Sequence, residues 1–465
     1  MSKKMIINAF DMNSSMHNSH GFWKHPESKR HRRYKDLDYW VELAKLLEKG
    51  KFDAVFFADV LGIYDVYRQS KEPSIRDGLS VPLNDPAMLV SAMASVTENL
   101  SFAVTVSTTY EPPFGNARRF STLDHLTKGR VAWNVVTSYL PNAARNFGLE
   151  NMIKHDERYD IADEYLDVSY KLWEQSWDEG AVVEDAENET LVDPEKVHEI
   201  NHEGHYFSVE GPHLSEPSVQ RTPVIYQAGT SERGREFASK HAECIFVGGP
   251  TPQRIRYYSD DIKERAEKHG RNPENLKIIC FLTVIVAETT EEAEKKFEEY
   301  NNVWSPDAAK AQYGASGYDV AEFEAQDPDE IFQYKKKTEG GHYKAATLTK
   351  DAPKQQQTVG EVLKRFEGLD RPNIIVGNPQ EVADQIQYQF EESGIDGFNL
   401  NHLVSPGDLE SFIDLVIPIL QDRGLYKTEY EQGTMREKLF PHGSSTLPED
   451  HPASKYRRSL NKSYS

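Results

Sequence analysis

The sequence predicts an α/β fold, a parallel (β/α)8 TIM barrel, on three observations. Short apolar runs alternate with amphipathic helical stretches along most of the chain. About eight such runs occur, and they are not joined by β-hairpin turns, which favours a parallel sheet. Several runs end in small or polar residues, as expected where the carboxyl ends of barrel strands form a site. The chain has 465 residues, and a typical barrel needs roughly 250, so insertions are expected.

The central strand is predicted at 129–138, GRVAWNVVTS, a β-branched apolar run that ends in hydroxyl side chains. Other strands are predicted at 5–10, 52–60, 100–109, 224–228, 244–248 and 277–287. A last strand–helix unit begins at 374. Helices are predicted at 36–51, 86–98, 116–128, 156–175, 231–242, 252–269, 290–304 and 406–423.

We predict one barrel domain, 1–424, with two insertions and a C-terminal extension. The insertion at about 178–212 is acidic and is predicted to contain a hairpin. The insertion at about 305–357 is polar and rich in Gly, Lys and Gln, and it is either a mobile lid over the carboxyl face or a surface excursion. The extension, 425–465, either contacts a partner subunit or is disordered.

Composition excludes several classes of protein. The formal charge is −21, which disfavours binding to nucleic acid and to anionic membranes. The apolar runs are too short for a signal peptide or a membrane span, so a cytoplasmic protein without membrane contact is expected. Cys244 and Cys280 lie singly in apolar runs, and we interpret them as buried thiols.

His198, Glu199 and His202 spell HExxH, the motif of zinc hydrolases. The motif needs a helix, so that both imidazoles share one face. Pro194 and Gly204 leave room for barely two helical turns, and no third ligand is evident. We therefore predict no metal site and keep the zinc hydrolase as the alternative of another class.

Polar residues gather after the predicted strands. Asn134, Ser138 and Tyr139 lie at the end of the central strand, and Tyr64 follows the second strand. His17 and His20 lie in the loop after the first strand, which opens on the same face of a barrel. The segment Gly229 to Gly234 lacks the lysine of a nucleotide triphosphatase, but amide groups at a helix start suit a phosphate.

A family resemblance appears in many blocks of the sequence. They include NAFDMN, HGFWKHP, GKFDAVFFAD, STLDHLTKGRVAWNVVTS, HDERYD, TPVIYQAGTSERGREFA and GIDGFNL. The chain resembles the bacterial-luciferase-like flavin monooxygenases. Within them it resembles the nitrilotriacetate, dibenzothiophene sulfone and long-chain alkane monooxygenases, and the last group most.

This resemblance implies the oxygenase component of a two-component system. FMNH2 would come from a separate NAD(P)H:FMN reductase, and its reaction with O2 would give a C4a-peroxyflavin that oxidises a small hydrophobic organic substrate. It also implies catalytic roles for His20, His17, Tyr64 and Tyr139. The cofactor-binding positions that it implies are Asp59, Thr105, Asn134, Ser138, Tyr139, His155, Tyr159, Ala228, Gly229, Thr230 and Ser231.

The substrate stays open between a long-chain alkane and an organosulfur compound such as a sulfone, with an aminopolycarboxylate or an N-acetyl thioether as the alternative. Ser14 stands where the long-chain alkane monooxygenases have a cysteine, and Tyr139 and Gln312 stand where they have histidines. A homodimer or homotetramer is expected. A barrel that binds flavin without turnover is a third possibility.

Overall fold

The structure is a computed structural model. It describes residues 3–334, 338–341, 345–346, 348–349, 356–369 and 374–457. In these residues no helix is both long and apolar enough to cross a membrane. Parts of the predicted insertion 305–357 and the last residues of the extension lie outside the described residues.

Thirteen strands are formed by the apolar runs and by the first insertion. They are β1 Ile6–Asp11, β2 Ala54–Phe57, β3 Ser101–Ser107, β4 Val131–Val136, β5 Val182–Asp185, β6 Thr190–Val192, β7 His202–Glu203, β8 Ser208–Val209, β9 Val224–Ala228, β10 Cys244–Val247, β11 Lys277–Val286, β12 Ile374–Gly377 and β13 Gly397–Asn401.

Eight of these strands close into a parallel barrel, as predicted. The order is β1, β2, β3, β4, β9, β10, β11 and β13, and β13 returns to pair with β1. The strand predicted at 374, β12, forms but lies outside the closed ring, where it pairs with the last residues of β11, Thr283 to Val286. The ten residues of β11 allow this, because β10 pairs with its first half and β12 with its second half.

Helices cover the barrel between the strands at the predicted positions, with shifted ends. The helix expected at 86–98 ends at Ala94, because the backbone amides of residues 98–100 donate to the Glu48 carboxylate instead. The helices are Arg30–Arg33, Leu37–Lys49, Glu72–Asp77, Ala87–Ala94, Pro113–Thr127, Pro141–Asn146, His155–Tyr170 continued by Lys171–Gln175, Glu232–His241, Pro252–Lys268, Thr290–Val303, Pro306–Tyr313, Ala321–Glu324, Val359–Lys364, Pro379–Ser393, Gly407–Ser411 continued by Phe412–Val416 and Ile417–Asp422, and Met435–Leu439.

Side chains alternate between the interior of the barrel and the helix layer, as the strand period requires. Ile6 and Phe10 of β1 belong to the interior cluster, whereas Ile7 and Ala9 pack against the helices. Cys244 and Cys280 are both buried, as predicted.

The two insertions differ in how they pack. The first forms two separate antiparallel hairpins, β5–β6 and β7–β8, where one was expected. The described part of the second is no loose surface excursion. Its Tyr313, Val320 and Phe323 are buried in one apolar cluster with Tyr64 and Tyr67 of the loop after β2. The insertion therefore lies over the loops at the carboxyl face, where a lid would act.

The C-terminal extension packs against the amino-terminal end of the barrel. Met435, Leu439 and Phe440 join the interior cluster, and the Met435 amide donates to the carbonyl of Gly129. A Cβ atom at Gly129 would come within 2.5 Å of Thr434, so the glycine permits this approach. The disordered alternative does not apply to residues 425–457, and contact with a partner subunit stays a prediction.

Candidate active site

Four phenylalanine rings inside the barrel form an apolar floor, and we infer a cavity above it at the carboxyl ends of the strands. Phe10 packs within 5.6 Å, ring centre to ring centre, of Phe56, Phe246 and Phe281. Phe246 and Phe281 are only half-buried although they point into the barrel. Space above these rings is therefore open, which suits a flat apolar ligand.

A cradle of two glycines borders this cavity where β9 passes into helix Glu232–His241. A Cβ atom at Gly229 would lie 3.1 Å from the Tyr159 hydroxyl oxygen, and one at Gly234 would lie 2.8 Å from it. The same Cβ at Gly234 would lie 2.9 Å from the Ser231 hydroxyl oxygen. Only hydrogen atoms at these two positions leave room for the hydroxyl groups.

Tyr159 is the centre of the cradle. Its hydroxyl is hydrogen-bonded to Ser231 and Thr137, and burial raises its pKa. The Arg233 guanidinium lies 5.5 Å from the centre of the Tyr159 ring and is held by ion pairs to Asp160 and Asp163. Hydroxyl groups, the backbone amides at a helix amino terminus and a nearby guanidinium are groups that commonly bind phosphate.

Two buried amide side chains have unused acceptor atoms near the cavity. Asn134 donates to the Thr105 hydroxyl at 2.8 Å, and that hydroxyl donates to the Phe57 carbonyl. The Asn134 Oδ1 atom and the Gln227 Oε1 atom have no hydrogen-bond partner in the described structure. Buried polar atoms of this kind are normally satisfied by water or by a ligand. Thr105 thus supports Asn134.

The remaining predicted cofactor positions lie around the same rim. Ser138 has a left-handed backbone with φ of 59° and its hydroxyl lies 2.8 Å from that of Ser107. The His155 ring packs edge-on against Tyr159, with ring centres 5.4 Å apart, and it contacts Asp156 at 2.7 Å. Ala228 is exposed at the end of β9, whereas Thr230 is buried.

Tyr64 and Tyr139 meet although 75 residues separate them in the chain. Their hydroxyl oxygens are 3.0 Å apart, and Tyr64 is also hydrogen-bonded to Ser80. Tyr64 is buried and Tyr139 is half-buried, so Tyr139 is the more exposed member of the pair.

His17 lies over the floor, 4.5 Å from the ring of Phe10. Burial lowers the pKa of His17 to about 3, because the favourable charge of Asp11 is opposed by Arg30 and His402. Its imidazole is therefore neutral at physiological pH. A neutral imidazole orients or polarises a partner, but it has no proton in reserve as an acid.

His20 joins the first loop to the second insertion. Its Nε2 atom lies 3.2 Å from Oε1 of Gln312, and Gln312 donates to Asn18 at 2.6 Å. The ring also packs at 5.0 Å on Trp304. Gln312 is thus the direct partner of a predicted catalytic histidine.

Asp59 is half-buried just beyond β2. Burial raises the pKa of its carboxyl to about 8, and Asp85 and Glu111 contribute to the rise while the Val60 amide opposes it. The carboxyl is therefore largely protonated at neutral pH, where it can donate a hydrogen bond.

We expect Asp59 to make the native protein less stable as the pH rises. Between its ordinary pKa of 3.8 and its folded value of about 8, the folded state holds a proton that the unfolded state releases, so stability falls through this window. Asp59→Asn should therefore gain in Tm relative to the native protein as the pH increases from 4 to 8. Parallel Tm profiles for the two proteins would contradict the raised pKa.

The HExxH motif is not helical, so its two imidazoles do not share a helix face. His198 pairs with Asp178 at 2.9 Å, whereas His202 contacts Lys171 at 2.9 Å and Glu164 at 3.3 Å. Within the part of the chain that the structure describes, no group of three His, Cys, Asp or Glu side chains could hold a metal ion. His202 thus anchors the hairpin insertion to helix His155–Tyr170, whereas His198 pairs within the insertion.

Sequence reasoning missed several members of the site. Gln227 is hidden inside an apolar strand, and Ser80 and Asn18 lie in loops without a motif. The glycine spacing was the one signal available, since it pointed to Gly234 as well as to Gly229. Arg233 was missed because a charged residue in a helix is usually a solvated one.

Together these features define a (β/α)8-barrel enzyme with its site at the carboxyl face of the strands. A family model described as "Luciferase-like monooxygenase" matches residues 12–397. The chain belongs to this family.

Three of its relatives are named as monooxygenases. The chain is 55% identical to the long-chain alkane monooxygenase of Geobacillus thermodenitrificans (strain NG80-2), over 98% of this chain and 99% of that one. It is 45% identical to the dimethyl-sulfide monooxygenase of Hyphomicrobium sulfonivorans, over 98% and 94%. It is 34% identical to the nitrilotriacetate monooxygenase component A of Aminobacter aminovorans, over 94% and 96%.

Solved structures agree with the fold over nearly the whole chain. A crystal structure of long-chain alkane monooxygenase superposes with a TM-score of 0.90 at 55% identity, covering 98% of this chain and 100% of that one. A riboflavin lyase with modified FMN and riboflavin also gives a TM-score of 0.90, at 36% identity and with coverage of 98% and 100%. These neighbours support a flavin cofactor.

Proposed function

We propose that this protein is an FMNH2-dependent monooxygenase, the oxygenase component of a two-component system that oxidises a small hydrophobic organic substrate. The observation that carries the proposal is the glycine cradle around Tyr159 at the edge of an aromatic-floored cavity. It joins a site for a phosphate to a site for a flat ring system, as FMN requires.

The residues present fit FMN. Tyr159, Ser231 and the amides that begin helix Glu232–His241 would hold the phosphate, with Arg233 adding positive charge behind the ring of Tyr159. The unpartnered acceptors of Asn134 and Gln227 would receive hydrogen bonds from the hydroxyl or ring N–H groups of the cofactor. Bound FMNH2 supplies the electrons that activate O2.

The protein's own groups would exclude water and position the substrate. The floor of four phenylalanines and the second insertion surround the cavity with apolar surface, and exclusion of water protects reactive species during oxygen transfer. His17, neutral above the floor, and His20, held by Gln312, are placed to orient the substrate.

The reducing partner is proposed to be a separate NAD(P)H:FMN reductase. The sequence lacks a GxGxxG motif after a strand, which is the usual signature of a tightly bound dinucleotide. The relative from Aminobacter aminovorans is named as one component of its system. We also propose that the chain forms a homodimer or homotetramer.

We expect Tyr159→Phe to weaken FMN binding by about 1–3 kcal/mol, because one hydrogen bond to a charged phosphate is lost. Riboflavin lacks the phosphate, so its affinity should be almost unchanged by the same substitution. Isothermal titration of both flavins into both proteins measures the difference. An equal loss for riboflavin and FMN would place the phosphate elsewhere.

A further inference from the structure

Helix Pro306–Tyr313 of the second insertion begins against the first loop, which follows β1. The Ser305 amide donates to the carbonyl of His20 at 3.1 Å, and the Ser305 hydroxyl donates to Asp77 at 2.6 Å. Position 312 is seven residues after 305, or roughly two helical turns, and so lies on the same face of the helix. The helix therefore presents Gln312 to the loop that carries His20.

Two amide side chains join the imidazoles of His17 and His20. The Asn18 Nδ2 atom lies 3.3 Å from Nε2 of His17. Gln312 donates from Nε2 to Oδ1 of Asn18 at 2.6 Å. The Oε1 atom of Gln312 lies 3.2 Å from Nε2 of His20. Both imidazoles are buried and both amides are half-buried, so the four side chains form one hydrogen-bonded chain that is largely shielded from water.

The atoms of this chain fix its direction, because an amide nitrogen only donates and an amide oxygen only accepts. His17 accepts from Asn18 on Nε2, and since its neutral ring carries one hydrogen, that hydrogen is on Nδ1. His20 donates from Nε2 to Gln312. The Phe10 carbonyl supports this direction, because it accepts a hydrogen bond from the His17 ring. A reversed chain would leave that ring without a hydrogen for the carbonyl.

We propose that Gln312 is a positioning residue that fixes opposite tautomers in the two imidazoles, with the hydrogen on Nδ1 in His17 and on Nε2 in His20. Glutamine suits this place because one amide donates to Asn18 and accepts from His20. Both nitrogens of His17 are then engaged by the protein, so His17 orients a ligand by contact and does not donate to it. The inference deepens the proposed function, in which these imidazoles orient the substrate.

The test is 15N NMR of the whole protein, labelled with 15N-histidine and measured at neutral pH. In a neutral imidazole the bare nitrogen resonates far downfield of the nitrogen that carries the hydrogen, and correlations to the ring C–H groups distinguish Nδ1 from Nε2. The signals are assigned by their loss in His17→Asn and His20→Asn. The native protein should show the hydrogen on Nδ1 in His17 and on Nε2 in His20.

Gln312→Glu should move a hydrogen onto Nε2 of His17, two links away from the substitution. A carboxylate only accepts, so the Asn18 amide must turn its nitrogen toward the new group and its oxygen toward His17. That oxygen requires a donor. The expected signal is an upfield shift of Nε2 of His17 to the position of a protonated nitrogen, which a residue that merely filled space would not cause.

Three variants separate the hydrogen-bonded chain from effects of size and charge. Gln312→Met does not force the Asn18 amide to turn, and it should leave His17 with its hydrogen on Nδ1. Adding Asn18→Gly to Gln312→Glu removes the intermediate amide at a left-handed position, φ of 46°, that glycine adopts readily, and it should restore the native tautomer of His17. Gln326→Glu is the matched control, because Gln326 is exposed and donates only to the Glu322 carbonyl of its own insertion. It should change neither imidazole.

Two results would overturn the inference: a native protein in which His17 carries its hydrogen on Nε2, or a Gln312→Glu variant in which the signals of His17 are unchanged. All variants at position 312 keep the phosphate cradle and should bind FMN like the native protein. A native protein that does not bind FMN would refute the proposed function without changing the tautomers, so the two failures are distinguishable.

Discussion

Gly234→Ala is expected to lower FMN affinity by more than about a hundredfold while the protein stays folded. The added methyl group would lie 2.8 Å from the Tyr159 hydroxyl oxygen and 2.9 Å from that of Ser231, so both groups must move. Each of them would lose a hydrogen bond to a charged phosphate, and each such bond is worth about 1.5–3 kcal/mol. Alanine in place of a helical glycine favours the helix itself, so the loss should be confined to binding.

Gly115→Ala is the control for this substitution. Gly115 lies in helix Pro113–Thr127, and a Cβ atom there meets only Pro112, at 3.8 Å. This variant should bind FMN like the native protein in the same fluorescence-quenching titration. Native FMN affinity in Gly234→Ala would mean that the phosphate does not bind in the cradle.

Arg436→Met is expected to lower the free energy of unfolding by about 3–5 kcal/mol, because it leaves the buried carboxylate of Glu243 without its charged partner. Arg436 donates to both oxygens of Glu243, at 2.7 and 3.0 Å, and both side chains are almost fully buried. It also donates to the carbonyl of Thr222, which joins the C-terminal extension to the barrel, and to that of Ser445 within the extension. Urea denaturation followed by circular dichroism measures the change.

Two further variants separate this effect from a general loss of charge. Arg33→Met removes a surface arginine that pairs with the exposed Glu42, and it should change stability little, because solvent screens such pairs. Adding Glu243→Met to Arg436→Met removes the stranded charge and should recover part of the loss. If Arg436→Met were as stable as the native protein, the extension would not be anchored by this pair.

The barrel was predictable because its information is local. Each barrel strand is a short apolar run. These runs alternate with helices and are not joined by β-hairpin turns, which indicates a parallel sheet. The order of the strands around the barrel could not be predicted from local sequence. β13 closes the barrel by pairing with β1, whereas β12 pairs with the long β11 outside the closed ring. Nothing in the run at 374 marks it as the strand outside the ring.

Site residues were predictable where they follow strands, and pairs between distant segments were not. The polar residues after β4 and the glycines after β9 directly follow predicted strands, and this position indicates a site at the carboxyl face of the barrel. The contact between His20 and Gln312 joins residues 292 positions apart. The second insertion has a polar composition, yet its few aromatic residues supply a buried cluster. The extension is also polar overall, and it packs through a few apolar side chains and one buried arginine.

The most direct test of the proposed function is a stopped-flow experiment. The protein with photoreduced FMN is mixed with oxygenated buffer, and absorbance is followed from 350 to 500 nm. A protected site predicts a species distinct from both reduced and oxidised FMN that persists well beyond the oxidation of free FMNH2, and that decays faster when an oxidisable organic substrate is present. Direct conversion to oxidised FMN at the rate of the free flavin would contradict the oxygenase function.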